Sequence, residues 1–195
     1  MRPKADIDAC RASHRRLVAG LVRLTEDDLS FPSLLPRYTR RHVVAHLANK
    51  TVAHVVVFGG PAAGEVRRLH PDGYDADAAA EASARRSGDE LRSQLEQSLE
   101  LLEETWDSLD DALWAKQEIM TAGPRTMSEI ITHHMRDVEV HHVDLDIGYR
   151  PSDWPSIFVE RELVKRLRSL PSRAEHSGLL GWLLGRTPSP ELGPW

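Results

Sequence analysis

The chain has 195 residues, 41% of them hydrophobic and 28% charged, an ordinary balance that suits one full domain or a domain with a small annex. Its formal net charge of -5 argues against nucleic acid as the main partner, and no apolar run is expected to reach the length of a membrane span. The single cysteine, Cys10, excludes an internal disulfide framework; with no apolar leader at the N-terminus, the expected compartment is a reducing cytoplasm.

Pro3 opens a first helix that runs to about Thr25, with Ile7, Cys10, His14, Leu17, Leu21 and Leu24 at helical spacing. His14 on that seam reads as a structural histidine and Cys10 as a small buried side chain. A polar turn, Thr25 to Asp28, and a Pro-punctuated link, FPSLLPRY, lead to Thr39, which is placed to cap a second helix ending at Gly59-Gly60-Pro61. The many apolar residues of that helix, among them Val43, Val44, Leu47 and Val55 to Phe58, mark the centre of a bundle. His42, His46, Lys50 and His54 recur every four residues as a polar line along it. Residues 61–73 lose the pattern and read as a loop lying over a site. Tyr74 to Arg86 is Ala-rich and helical, Ser87-Gly88 breaks it, and Leu91, Leu95, Leu102, Trp106 and Leu109 mark the next helix. Its acidic outer face reads as solvated. No strand is expected between there and Thr126.

Thr126 to Gly148 carries the strongest signals. Thr126 and Glu129 form a capping-box pattern, and Gly148 is the expected left-handed stop. Ile131, Met135, Val138, His142 and Leu145 form a stripe toward the core, beside a second stripe of His134, Asp137, His141 and Asp144. After a linker around Pro151 to Pro155, residues 156–169 read as an amphipathic helix on Phe158, Leu163, Leu167 and Leu170. Residues 176–184 form a short apolar helix, and the tail ends on an aromatic, Trp195, placed to dock. The expected fold is all-α: an antiparallel four-helix bundle over residues 1–150, with long connections after its first two helices, and a small C-terminal annex over 151–195. An apolar bundle of this kind is also compatible with a homodimer.

Buried carboxylates and imidazoles need partners or a metal. Asp137 and His141 lie one helical turn apart on one face. Two ligands from one helix and a third from a facing helix make a metal centre in a bundle core, with donors that suit zinc, nickel or ferrous iron. His133 is a rival ligand, since His133, Asp137 and His141 step by four; Glu139 is then left for the surface or an ion pair. On spacing alone, solvated or core-satisfied histidines stay slightly ahead.

The segments PSLLPRYTRRHVVAHLANKTVAH and MRDVEVHHVDLDIGYRPSDWP, with the closing LLGWLLGRTPSPELGPW, resemble the mycothiol-dependent maleylpyruvate isomerase family of the DinB-like superfamily. The resemblance implies a divalent metal, most often zinc, held by His46, Asp137 and His141, and mycothiol, the low-molecular-weight thiol of actinobacteria, as co-substrate. The expected activity is addition of the metal-held thiolate to an activated double bond, with cis–trans isomerisation. Transfer of the thiol to an electrophilic small molecule is the near alternative, and a non-catalytic bundle binding a metal or small molecule the distant one. Lys50, Arg40 and Arg41 are placed by charge to receive a carboxylate or the cofactor. His54 and His142 are base candidates, with core packing as the other reading. The sequence departs from the family pattern at Asp137, where Glu is usual, and at Lys50, where Asn or a similar polar residue is common; its C-terminal region is also shorter.

Overall fold

The structure is a computed structural model that describes residues 1–192. The docking expected of Trp195 lies outside the described residues. The chain divides into two compact units, Met1–Trp154 and Pro155–Trp195.

The first unit is built on four long helices: α1 (Lys4–Leu21), α3 (Arg40–Phe58), α6 (Gly88–Ser108) and α7 (Met127–Asp144). Side-chain pairs give their directions. His14 and Arg16 of α1 reach His134 and Glu139 of α7, so these two run the same way. His46 and His54 of α3 face His141 and His134, so α3 opposes α7. Arg11 and His14 pair with Asp107 and Glu103, so α6 opposes α1. The order is therefore up, down, down, up. Parallel neighbours need a connection that returns the chain along the bundle. The stretch between α3 and α6 does this through two short helices, α4 (Gly60–Ala63) and α5 (Ala76–Ser83).

Leu17, Leu21, Val43, Val44, Leu47, Leu91, Leu95, Val138 and Leu145 form one continuous buried cluster. Phe58 stacks edge-on against Trp106 and tilts against Trp114, all three fully buried. By length and composition Arg40–Ala63 is apolar enough to cross a membrane, contrary to the sequence expectation, yet 56% of that window is buried within the protein. It is the central helix of the bundle.

Several boundaries differ from the sequence reading. The first helix stops at Leu21, because Thr25 is used instead to cap a short helix, α2 (Glu26–Ser30), through a capping box with Asp28. Part of the expected loop after Gly59 is the helical turn α4. The last bundle helix ends at Asp144, ahead of Gly148, with Asp146 already at φ 52°. Arg40 donates to the carbonyls of Leu145 and Asp146, which satisfies the groups that a longer helix would have bonded internally. Of the two readings of Glu139, surface or ion pair, the structure shows the ion pair: it is 1% exposed, pairs with Arg16 and also accepts from Ser13 and Tyr149, tying α1 and the 149–154 segment to α7.

An unexpected antiparallel hairpin precedes α7: β1 (Gln117–Met120) and β2 (Gly123–Thr126), with Gln117 opposite Thr126 and Met120 opposite Gly123. Four-residue strands are too short to display a period, and Pro124 speaks against a strand; here it sits in an edge strand, where a missing N–H is tolerated. The hairpin also anchors the long connection. Leu69 N–H donates to the Ile119 carbonyl at 2.9 Å, and Ile119 N–H to the Arg67 carbonyl at 3.0 Å.

The second unit holds α8 (Ser156–Ser169) and α9 (His176–Leu183), with Glu175 capping α9 through the Ser177 and Gly178 N–H groups. Phe158 and Leu179 are buried, whereas Leu163 and Leu167 of the expected inner stripe stay half exposed.

The Thr126 cap fixes where α7 starts and hence which residues face inward. Thr126 Oγ1 accepts from Glu129 N–H at 3.2 Å, and Glu129 accepts from Thr126 N–H at 2.8 Å. Thr126→Ala is expected to lower stability by about 1 kcal/mol in urea denaturation; an unchanged midpoint would show the cap to be dispensable.

Candidate active site between two helices

The polar lines of α3 and α7 meet in the bundle. Because the helices are antiparallel, residues spaced by one turn on each come together in layers. His46 packs edge-on against His141, ring centroids 4.8 Å apart, and His54 packs the same way on His134, also at 4.8 Å. Between these layers Lys50 Nζ stands 3.8 Å from Asp137 Oδ2, and Arg136 Nη2 lies 3.3 Å from Asp137 Oδ1. Burial alone would raise the Asp137 carboxyl, but Lys50, Arg136, His54 and His141 together hold it below its ordinary value, so it is ionised.

His46 and His54 are held as neutral bases. Burial, then His141, pushes His46 down to about 4, against the pull of Asp137. Burial does the same to His54, also to about 4. Its Nδ1 donates to the Lys50 carbonyl at 2.9 Å, so Nε2 carries a lone pair, which is buried and has no hydrogen-bond partner. His141 Nδ1 lies 2.8 Å from Asp144 Oδ2, which places a proton on Nδ1 and turns Nε2 away from the carboxylate. A carboxylate behind an imidazole is the usual outer support of a metal-ligating histidine. Two imidazoles, one of them backed by a carboxylate, and an ionised carboxylate therefore fit a divalent cation in chemistry. In geometry the trio is open: its ligand atoms are not drawn within 4.8 Å of one another, and cations face both oxygens of Asp137. His133 joins no such trio either.

His46 borders two cavities, and His141 the smaller of them. One, of about 420 Å³, is lined by His46, Lys50, Arg68, His70, Tyr74 and Ile119 among others. The other, of about 180 Å³, is lined by Tyr38, His42, His46 and His141. The stretch expected as a loop over a site supplies Arg68 to Gly73 to the larger cavity, pinned there by its bonds to β1. His70 stacks flat on Tyr74 at 4.0 Å.

Of the other residues singled out in the sequence, Lys50 and His54 lie in this interface, and three lie elsewhere. Arg40 is spent on the end of α7, and Arg41 on the Arg86 carbonyl and Glu26. His142 turns toward α1, stacks on Tyr149 at 3.9 Å and packs beside Gly20. Arg68, His70 and Tyr74 escaped sequence reasoning because they sit on an irregular segment with no period to read.

The sequence pattern of the family described as "Mycothiol maleylpyruvate isomerase N-terminal domain" matches residues 10–146, well over half the chain. The chain belongs to that family. Among solved structures, that of the mycothiol-dependent maleylpyruvate isomerase superposes with a TM-score of 0.77 at 21% identity, over 80% of this chain and 66% of that one. A histidine-to-alanine mutant of that enzyme gives 0.76 at 20% identity with the same coverage. This family member thus spans just under two thirds of the length of the structures it matches, and at this identity the likeness establishes the fold. No curated protein matches the chain in sequence.

A neutral buried histidine makes stability depend on pH. His54 has a folded value of about 4 against an ordinary 6.5, so the unfolded chain binds more protons below pH 6.5. Its contribution is complete above that pH and is lost as pH falls toward 4, on the order of 2 kcal/mol by pH 5. With chelator present, the urea midpoint is expected to drop between pH 7 and pH 5, and His54→Gln to flatten the drop. An equal slope in the variant would mean that His54 is not the titrating group.

Proposed function

We propose that the chain is an enzyme of the maleylpyruvate isomerase type that works with mycothiol at the α3–α7 interface. The observation that carries this reading is the meeting of His46, Lys50, Asp137 and His141 beside a cavity of about 420 Å³, in a chain of this family. Four groups of complementary charge from two distant segments are hard to account for as packing.

His46, Asp137 and His141 would hold a divalent metal, most plausibly zinc on donor type, and that ion would keep a bound thiol as thiolate near neutral pH. The reaction is then addition and elimination. Sulfur forms a bond to one carbon of the conjugated double bond, and the electron pair moves onto the neighbouring carbonyl as an enolate. Rotation about the new single bond follows; the double bond reforms, the C–S bond breaks and the thiolate returns unchanged. The chain's own residues supply the rest. Lys50 and Arg68, both lining the cavity, receive the substrate carboxylates and the charge that spreads onto oxygen. Pro71, Ile119 and Met120 give the cavity an apolar side that limits water. Asp144 keeps His141 in the tautomer that leaves Nε2 free.

Lys50 and a metal compete for Asp137. Metal entry requires the ammonium to leave the carboxylate, and an ammonium so released is available to a substrate anion. The same contact favours the second reading, a bundle that binds ligands without catalysis, in which Lys50 is simply the resident counter-ion of Asp137.

Incubating the purified chain with maleylpyruvate and mycothiol tests the proposal. Isomerisation with the thiol conserved is expected, abolished in His46→Ala. Consumption of the thiol would mean transfer instead, and no reaction under zinc saturation would leave the binding reading. Lys50→Asn is expected to raise zinc affinity about tenfold, roughly 1.4 kcal/mol, by removing a like charge, while raising KM for the dianionic substrate. Unchanged zinc affinity would contradict the competition.

A further inference from the structure

One turn further along α7 lies a second polar cluster that the proposed reaction does not use. Cys10 and His14 project from one face of α1, one turn apart, and His134 of α7 faces them; they are 0%, 3% and 1% exposed. Cys10 Sγ lies 3.5 Å from His14 Nε2, and His14 Nε2 lies 2.9 Å from His134 Nε2. Among the described residues this is the one trio of histidine, cysteine or carboxylate ligand atoms within 4.8 Å of one another.

Hydrogen bonding alone does not satisfy the cluster. His14 Nδ1 lies 2.6 Å from Glu103 Oε1, and a carboxylate only accepts, so Nδ1 carries the proton and Nε2 offers a single lone pair. Two donors, the Cys10 thiol and His134 Nε2–H, converge on that lone pair. His134 Nδ1 is then left as a buried acceptor with no partner. Beside it His54, 0% exposed, presents another unpartnered Nε2, its ring centroid 4.8 Å from that of His134. A cation at the focus, taking lone pairs from Cys10, His14 and His134, converts this mismatch of donors and acceptors into coordination. The Glu103–His14 pair is the carboxylate-backed imidazole that metal sites use.

We propose that Cys10, His14 and His134 form a second, buried metal site for a thiophilic divalent ion of the zinc class, distinct from the α3–α7 site. One sulfur and two imidazole nitrogens are the donors such ions select. On binding, the Cys10 S–H bond breaks, sulfur coordinates the ion and the proton leaves to solvent. The thiolate then offsets one of the two positive charges, and the Glu103 carboxylate, shared between His14 and Arg11, lies behind the imidazole. Trp106, whose ring centroid is 5.7 Å from that of His14 and 6.0 Å from that of His134, walls the site with apolar surface.

Cobalt(II) tests this directly, because Cys10 is the chain's only cysteine and a thiolate–cobalt charge-transfer band in the near ultraviolet can come from nowhere else. The full chain, stripped with chelator, is titrated with cobalt both when folded and during refolding. The band is expected in the wild type and in His46→Ala, and absent in Cys10→Ser. Glu103→Gln, which leaves all three ligands in place, is expected to weaken cobalt binding about 10–100-fold. A wild-type chain that shows no thiolate band at saturating cobalt, in either protocol, overturns the proposal without recourse to any variant. So does a band whose cobalt affinity is unaffected by both Glu103→Gln and His134→Gln.

Discussion

An ionised carboxylate inside a helix bundle must be surrounded by positive charge, and the site is arranged around that requirement at Asp137. Transfer of such a group from water is costly unless it is paired. Lys50 from the facing helix and Arg136 from the neighbouring position supply the pairing, and pairs of imidazoles fill the layers above and below. On the function proposed above, the same carboxylate would be a metal ligand. On that proposal, Lys50 and an incoming cation are alternatives for one anion, which makes the Asp137–Lys50 contact the pivot of the proposed chemistry.

The surrounding fold keeps this polar interface in register. Thr126 sets the first turn of α7 and Arg40 closes its last carbonyls, so the stripe from His134 to His141 cannot drift around the helix. Buried Glu139 binds α7 to α1 through Ser13 and Arg16, on the side away from α3. The up-down-down-up order makes α1 parallel to α7, which places Cys10 and His14 beside His134, while antiparallel α3 places His46 beside His141. The long crossing from α3 to α6 is pinned to β1 and becomes the outer wall of the larger cavity.

Much of this was legible in the sequence, for physical reasons. Long helices with capping boxes and apolar stripes announce themselves locally, so α3, α6 and α7 were placed within a few residues, as were the polar lines on α3 and α7. What failed were judgements that depend on a partner far along the chain. Arg40 and Arg41 look like free cations until Leu145, Asp146 and Arg86 are brought to them. Glu139 reads equally as surface or ion pair until Arg16, with Ser13 and Tyr149, decides for the pair. Thr25 serves a short helix whose signal was confined to four residues, and the hairpin was shorter than any period. Cys10 and His14 were visible as an i, i+4 pair, but their meaning comes from His134, 120 positions away from His14.

The most direct measurement of the central claim is histidine side-chain nitrogen NMR on the labelled chain during a zinc titration at pH 7. The account predicts that His46 is neutral before zinc is added, and that His46 and His141 shift together as the ion displaces Lys50 from Asp137. A protonated His46, or resonances of both rings that stay in place through saturating zinc, would contradict it.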